Sequence, residues 1–179
     1  MPDETSLVRR AQQNDRNALE ELFRINYPVL LGALVRITSD PRAAEDIAQE
    51  TVLRAIVNLE RYEPRAKFST WLITIALNTH KNKLRTAWRE VPSEEVFETN
   101  AEVESAEERA LRHLAMDEAA SLLDALGPEK RQVFVLKHYY GFKYQEIADA
   151  VGCPIGTVRS RLHDSVGILR REMARRGMT

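Results

Sequence analysis

The chain has 179 residues, a hydrophobic content of 44% and a formal net charge of −1, enough for one ordinary globular domain or two small ones. Its apolar runs fall far short of the roughly 20 residues that span a bilayer, and "MPDETSLVRR" lacks a basic-then-apolar leader pattern, so neither export nor membrane insertion is expected. Cys153 is the only cysteine, which excludes an internal disulfide and any zinc site built from several cysteines. A cytoplasmic location without metal or cofactor is the expectation.

The near-neutral total hides a segregation of charge. Residues 1–90 carry 14 Lys and Arg against 12 Asp and Glu, and the stretch from 117 onward carries ten against eight. Between them "VPSEEVFETNAEVESAEE" (91–108) holds seven acids and no base. This stretch opens on Pro92-Ser93 and has no sustained helical period until about Ala101, where Ala106, Ala110, Leu111 and Leu114 begin one. It reads as an acidic linker. The expected organisation is therefore an N-terminal domain over 1–91, a linker over 92–113 and a C-terminal domain over 114–179. With so polar a connection, the two units are expected to move relative to one another.

Leu7, Val8 and Ala11 recur at helical spacing, and Asn14-Asp15 marks a turn. A second apolar face follows from Ala18 and Leu19 through Leu34 and Val35, with Pro28 expected to bend it rather than end it. Asp40-Pro41 is a strong helix start, a capping carboxylate followed by a residue suited to the first turn. Ile47, Val52 or Leu53, Ile56 and Leu59 are the expected buried stripe. "RYEPRAK" breaks that helix, and Ser69 or Thr70 is expected to cap the next, "WLITIALNTHKNKLRTAW". No segment alternates long enough to predict a strand, so the fold class is all-α.

In the C-terminal block Gly127-Pro128 separates one helix from "EKRQVFVLKHYY", and Gly141 stops the latter. "KYQEIADAVG" is a short helix ended by Gly152, a residue that takes the left-handed conformation. The last helix carries Val158, Leu162, Val166, Leu169 and Met173 as one stripe. Two short helices joined by a glycine-containing turn, with the small Ala148 where they cross, form a helix-turn-helix. Thr157, Arg159, Ser160, Arg161 and His163 lie largely off the stripe, where side chains can enter a major groove. An ordinary helical hairpin with solvated arginines is the plainer reading of the same residues.

Between Tyr62 and Arg89, aromatic side chains alternate with basic and amide ones, the combination a single-strand binder needs: rings on which bases stack and cations for the backbone. Phe68 and Trp71 fit the apolar pattern and are expected in the core. Asn78 and Asn82 share a face, with Lys81 and Arg85 on the adjoining one. Catalysis is not expected. His163-Asp164 is a dipeptide like that of metal-dependent phosphohydrolases, but both residues fall within the groove-reading helix. No glycine-rich phosphate loop or nucleophile with a partnered base is evident.

"LGPEKRQVFVLKHYYGFKYQEIADAVGCPIGTVRSRL" resembles region 4 of the extracytoplasmic-function (ECF) sigma factors, the promoter-specificity subunits of bacterial RNA polymerase. "AAEDIAQETVLRAI" with "KFSTWLITIALNTHKNKLR" resembles region 2 of the same family, in the family's order and with its linker between. The resemblance implies a non-catalytic initiation factor that binds core polymerase through the β′ clamp helices and the β flap, recognises promoter DNA and is held by an anti-sigma factor. It assigns Asp46, Gln49 and Glu50 to the clamp helices. Arg54, Tyr62, Asn78 and Asn82 go to a −10 pocket or its rim, entered past the loop "ERYEPRAKF", with Lys81, Lys83 and Arg85 on the backbone. Thr157, Arg159, Ser160, Arg161 and His163 go to the −35 element. Asp164 stands where the family often has a base, which puts in doubt DNA contacts beyond His163. The alternative is a sigma-like decoy that sequesters an anti-sigma protein without touching DNA. Against it stand the retained Arg159, Arg161, Lys81 and Arg85 and the lack of room for a receiver domain.

Overall fold

The computed structural model of the chain describes residues 3–87 and 121–178, the side chains of 82–87 excepted. All regular elements among these residues are helical. The acidic linker and the periodic pattern from Ala101 to Leu114 lie outside the described residues.

Helix α1 (Glu4–Gln12) turns into α2 (Arg16–Thr38) through Asn14, whose φ is 65°. The Asp15 carboxylate then accepts the Ala18 N–H at 3.1 Å, satisfying one of the free donors that open every helix. Helix α2 continues through Pro28, although a proline there supplies no N–H to the carbonyl four residues back. It stops at Ser39, which caps it in the left-handed region.

Helix α3 (Pro41–Asn58) begins as its sequence predicts, with Asp40 accepting the N–H groups of Arg42 and Ala43 at 3.0 and 3.1 Å. Its buried face matches expectation only in part. Ile47 and Leu59 are inside and Val52, rather than Leu53, is half-buried against the core, but Leu53 and Ile56 are 65% and 42% exposed, and Ala44, Ala48, Thr51 and Ala55 fill the interior. Small side chains let α3 lie close to α2 and α4 together, which rotates the larger apolar residues outward. Helix α4 (Phe68–Ala87) also departs from expectation at its start. Neither Ser69 nor Thr70 caps it; the Phe68 N–H donates to the Glu4 carboxylate of α1 at 3.1 Å. Phe68 is fully buried, with ring centroids 5.7 Å from Phe23, 5.2 Å from Tyr62 and 5.4 Å from Trp71. Losing such a ring typically costs about 3–5 kcal/mol.

The C-terminal unit contains α5 (Pro128–His138), α6 (Tyr144–Val151) and α7 (Ile155–Arg175). Gly141 and Gly152 end α5 and α6 at φ 68° and 74°, and the Gly152 and Cys153 N–H groups both donate to the Ala148 carbonyl. Val158 and Leu162 bury the first half of α7, whereas Val166 and Leu169 are half-buried and Met173 is exposed.

The two units do not stand apart. Helix α5 packs on α2, and α6 on α4. Arg131, almost fully buried, donates to the Leu123 and Leu126 carbonyls at 3.0 and 3.2 Å, meets Asp124 at 3.2 Å and reaches the Ser39 hydroxyl at the end of α2. Ser39 in turn donates to Asp124 at 2.8 Å. The Arg36 guanidinium lies 5.2 Å over the Tyr139 ring. Linker polarity predicted mobility, but the docking is carried by helix faces that contain none of the linker.

Candidate functional site

On α3, Asp46 and Gln49 are exposed; the outward-facing Leu53 lies one turn beyond Gln49, and Ile56 and Val57 a further turn along, the last of them 82% exposed. A groove of about 1080 Å³ runs beside them, lined by Phe23, Tyr27, Gln49, Val52 and Leu53 among others. Burial, and then the Glu45 carboxylate, push the Tyr27 phenol above its ordinary range. A contiguous apolar patch beside polar anchors is what a protein partner covers. Sequence reasoning missed the patch because it placed Ile56 inside and left Val52 and Leu53 as alternatives for the preceding turn, where Val52 is the half-buried one. The alanines at 44, 48 and 55 were the available signal. Glu50 pairs with Arg54 at 2.6 Å, so a residue assigned to the polymerase holds one assigned to the −10 rim.

On α4, Asn78 and Lys81 are exposed on adjoining faces. Asn82, Lys83 and Arg85 continue the same helix, with side chains outside the described residues. Tyr62 requires a correction. It is 5% exposed, packs on Phe68 and Trp71, and donates its hydroxyl to the Ala66 carbonyl at 2.6 Å. Its ring therefore shapes the loop before α4 from beneath and offers no face to a base. Burial, then the Glu4 carboxylate, raise its pKa. The loop is held from a second side: the Gln12 side-chain amide donates to the Leu59 and Tyr62 carbonyls at 3.0 and 2.9 Å. Nothing in the local pattern around Gln12 announces that contact across about 50 residues.

The helix-turn-helix separates the two arginines that the sequence grouped. Arg159 is exposed with Ser160 and His163, and Thr157 is half-buried near the helix start. Arg161 lies two residues on, which at 3.6 residues per turn is the opposite side of α7. Its guanidinium is 19% exposed, pairs with Glu129 of α5 and sits 3.8 Å from the Cys153 sulfur. Arg161 is thus corrected from groove reader to a tie between α7 and α5. Asp164 likewise turns to Lys130, at 3.4 Å, so its charge is answered within the unit. One contributor escaped sequence reasoning. The Tyr144 ring has Arg159 at 5.9 Å and Lys137 at 4.8 Å from its centroid, a cation–π contact that gives the Arg159 side chain a preferred direction.

Helix α4 and the turn of the helix-turn-helix face one another. A cleft of about 360 Å³ between them is lined by Lys81, Arg161, Glu129 and Gly152 among others. A Cβ placed on Gly152 would stand 2.8 Å from the Lys81 ammonium. Among the described residues no helix is long and apolar enough to cross a membrane, and no three His, Cys, Asp or Glu side chains gather as a metal site would require.

Two family models match the chain: Sigma-70 region 2 over residues 22–90 and Sigma-70 region 4 over 116–166. The RNA polymerase sigma-H factor of Pseudomonas aeruginosa is 33% identical over 166 residues, 87% of this chain and 86% of that one. The ECF RNA polymerase sigma-E factor of Haemophilus influenzae is 30% identical, with 88% of each chain covered. Among solved structures, the sigma factor RpoE from Bartonella quintana, in complex with the anti-sigma factor NepR, superposes with a TM-score of 0.63 at 25% identity, over 85% of this chain and 94% of that one. CnrH, in complex with the cytosolic domain of CnrY, has the same fold: TM-score 0.63 at 23% identity, over 94% and 95% of the two chains. With both regions matched in order, and full-length relatives at this identity, the chain belongs to the extracytoplasmic-function sigma factors of the sigma-70 family.

Proposed function

We propose that this sigma factor docks on core RNA polymerase through the outward face of α3, with Asp46, Gln49 and Glu50 as polar anchors and Leu53, Ile56 and Val57 as the apolar centre. It then directs the enzyme to a two-part promoter. Arg159, Ser160 and His163 read base edges of the upstream element, and Thr157 meets a phosphate near the start of α7. On α4, Asn78 and Asn82 capture the opened −10 strand, with Lys81, Lys83 and Arg85 on its backbone and Arg54 at the rim. The phosphodiester chemistry is the polymerase's own. The reading places the factor in the cytoplasm, where its polymerase works, with an anti-sigma protein as its inhibitor. The similar sigma factor RpoE, held in a complex with the anti-sigma factor NepR, supports that last point.

The observation that carries the reading is the pairing of two unlike outward surfaces in one chain: apolar on α3, cationic and hydroxylic on α7. A decoy that only sequesters an inhibitor has no use for the second. Run-off transcription with core polymerase on genomic fragments tests it. A promoter-specific transcript that requires the factor is expected, and a factor that binds an anti-sigma protein yet supports no transcript would leave the decoy reading in its place.

A further inference from the structure

We infer that Asp164 is a further base-reading residue of α7, a carboxylate that selects cytosine in the upstream element while Lys130 of α5 offsets its charge beside the phosphates. The inference rests on the promoter-recognition reading above and extends it to a side chain whose charge argues against DNA at first sight.

Three observations lead to it. The first is position. Thr157, Ser160 and Asp164 are spaced three and four residues apart, so they form one row along α7, beside the row of Arg159 and His163. Ser160, His163 and Asp164 are all exposed, away from the side buried by Val158, Leu162 and Ser165. The second is an unmet hydrogen-bonding capacity. The Asp164 side chain is 54% exposed, with the Lys130 ammonium 3.4 Å from Oδ2. Among the described residues neither oxygen accepts a hydrogen bond, and an ion pair between two accessible groups is weak and readily exchanged. Other carboxylates of this unit are engaged: Glu146 accepts the Lys143 N–H at 2.7 Å, Asp149 the Gln145 amide at 2.9 Å, and Glu172 two guanidinium groups. The third is the placement of Lys130. The Ser165 hydroxyl lies 3.4 Å from its carbonyl, which sets the first turn of α5 against α7 beside Asp164. The ammonium, 35% exposed, therefore stands at the margin of the reading face, where one backbone of a duplex seated on α7 passes. A bare carboxylate there repels phosphate; an ammonium shared between the two offsets both.

The chemistry picks the base. An ionised carboxylate only accepts, so it needs a donor on a base edge. In the major groove those donors are the N4 amino group of cytosine and the N6 amino group of adenine. Adenine sets its N7 acceptor beside N6, which repels the second carboxylate oxygen; cytosine has a C–H at that place. Arg159, by contrast, only donates and matches guanine. Five residues at 1.5 Å put Asp164 about 7.5 Å further along the helix axis, roughly two base-pair steps from the Arg159 contact.

The test varies each upstream base pair in turn on otherwise identical duplexes, with the −10 element fixed, and measures competition for the holoenzyme. Wild type should prefer cytosine at one position, about two base pairs from the position moved by Arg159→Ala. Asp164→Ala should lose that preference, by about tenfold, with the other positions unchanged. Asp164→Asn should move it to adenine, whose N6 and N7 an amide matches; a gained preference also shows that the variant is folded. Lys130→Ala should weaken binding to every element alike and lower its salt dependence, keeping the cytosine preference. Two results would overturn the inference. Asp164→Ala could bind every element more tightly with its base preferences intact, the mark of a merely repulsive charge, or leave preferences and affinity both unchanged, the mark of a solvated one. If wild type and Arg159→Ala are alike indifferent to every upstream base, the promoter-recognition reading itself fails, and the Arg159→Ala arm tells that apart from a failure at Asp164 alone.

Discussion

Helices α3 and α7 invert one another. In α3 alanines and a threonine fill most of the interior beside Ile47, while Leu53, Ile56 and Val57 are outside; in α7 Val158 and Leu162 are inside with Ser165, while Arg159, Ser160 and His163 are outside. Both are long helices of similar charge density, with α3 the more apolar of the two and α7 the more sharply amphipathic. The difference lies in which size of apolar residue is spent on the core. Close packing of α3 between two neighbours needs small side chains, which leaves the large ones to bind something that is itself apolar. Helix α7 meets its neighbours along one stripe and leaves the rest of its surface to a charged, hydrated partner. On the proposed reading, one outward face is made for protein and the other for nucleic acid.

The most damaging way to break this comparison is to make the α3 face polar. Leu53→Glu with Val57→Glu removes two apolar side chains worth about 1.5–3 kcal/mol each when buried, so binding to core polymerase should fall by about a hundredfold or more. Because both residues are exposed in the free protein, the unfolding midpoint should hardly move; a large drop would show that they belong to the fold. Next in size, Arg159→Ala should cost about 1–3 kcal/mol of discrimination between matched and mutated upstream elements, measured by competition binding of the holoenzyme. Arg161→Ala should leave that discrimination unchanged and lower thermal stability instead, because its guanidinium is tied to Glu129. Equal effects of the two would erase the distinction drawn between the sides of α7.

Asn78→Ala should slow opening on linear templates, followed by permanganate reactivity, without altering binding to the upstream duplex. A smaller effect is expected at Tyr144. Leucine there removes a cation–π contact worth about 0.5–1 kcal/mol at an exposed site, so upstream binding should weaken only a few-fold and in the same base positions as Arg159→Ala. Phenylalanine should restore it. The smallest effect is a pH dependence at the far end of α7, where hydrogen bonds from Arg175 and Arg176 hold the Glu172 carboxyl at about 2, below its ordinary 4.5. A depressed carboxyl stabilises the fold above its unfolded pKa and loses that contribution as pH falls through the folded value. Glu172→Gln should therefore be slightly less stable than wild type at pH 5, and the gap should close towards pH 2.

Much of this was legible from local chemistry. Asp40-Pro41, Gly141, Gly152 and the first half of the α7 stripe, at Val158 and Leu162, each act within a few residues, and each gives the predicted start, stop or face. The failures share a physical origin in long-range contacts. Ser69 and Thr70 were reasonable caps until Glu4, 64 residues away, took the Phe68 N–H. Tyr62 was assigned to the pocket by resemblance, but two aromatic neighbours, Phe68 and Trp71, pack on it and it is buried. Arg159 and Arg161 share a motif and a residue type. Which side of the helix meets α5 decides their roles, and that is a property of packing. The docking of the two units was hidden for the same reason, since Arg131 and Ser39 are 92 positions apart and neither belongs to a pattern.

Helix α1 carries none of the residues assigned to polymerase or DNA, yet it supplies both footings of the span between α3 and α4. Gln12 pins the near end at Leu59 and Tyr62, and Glu4 pins the far end at Phe68. Between them Glu63, Pro64, Arg65 and Lys67 project into solvent, bound to the protein mainly through the buried Tyr62 hydroxyl at Ala66. The arrangement is an arch: its stiffness comes from its abutments, so the crown is free to change composition without disturbing what carries it. Replacing Glu4 and Gln12 by alanine, which leaves the core residues Leu7, Val8 and Ala11 in place, would therefore register as a fault in strand capture on the proposed reading.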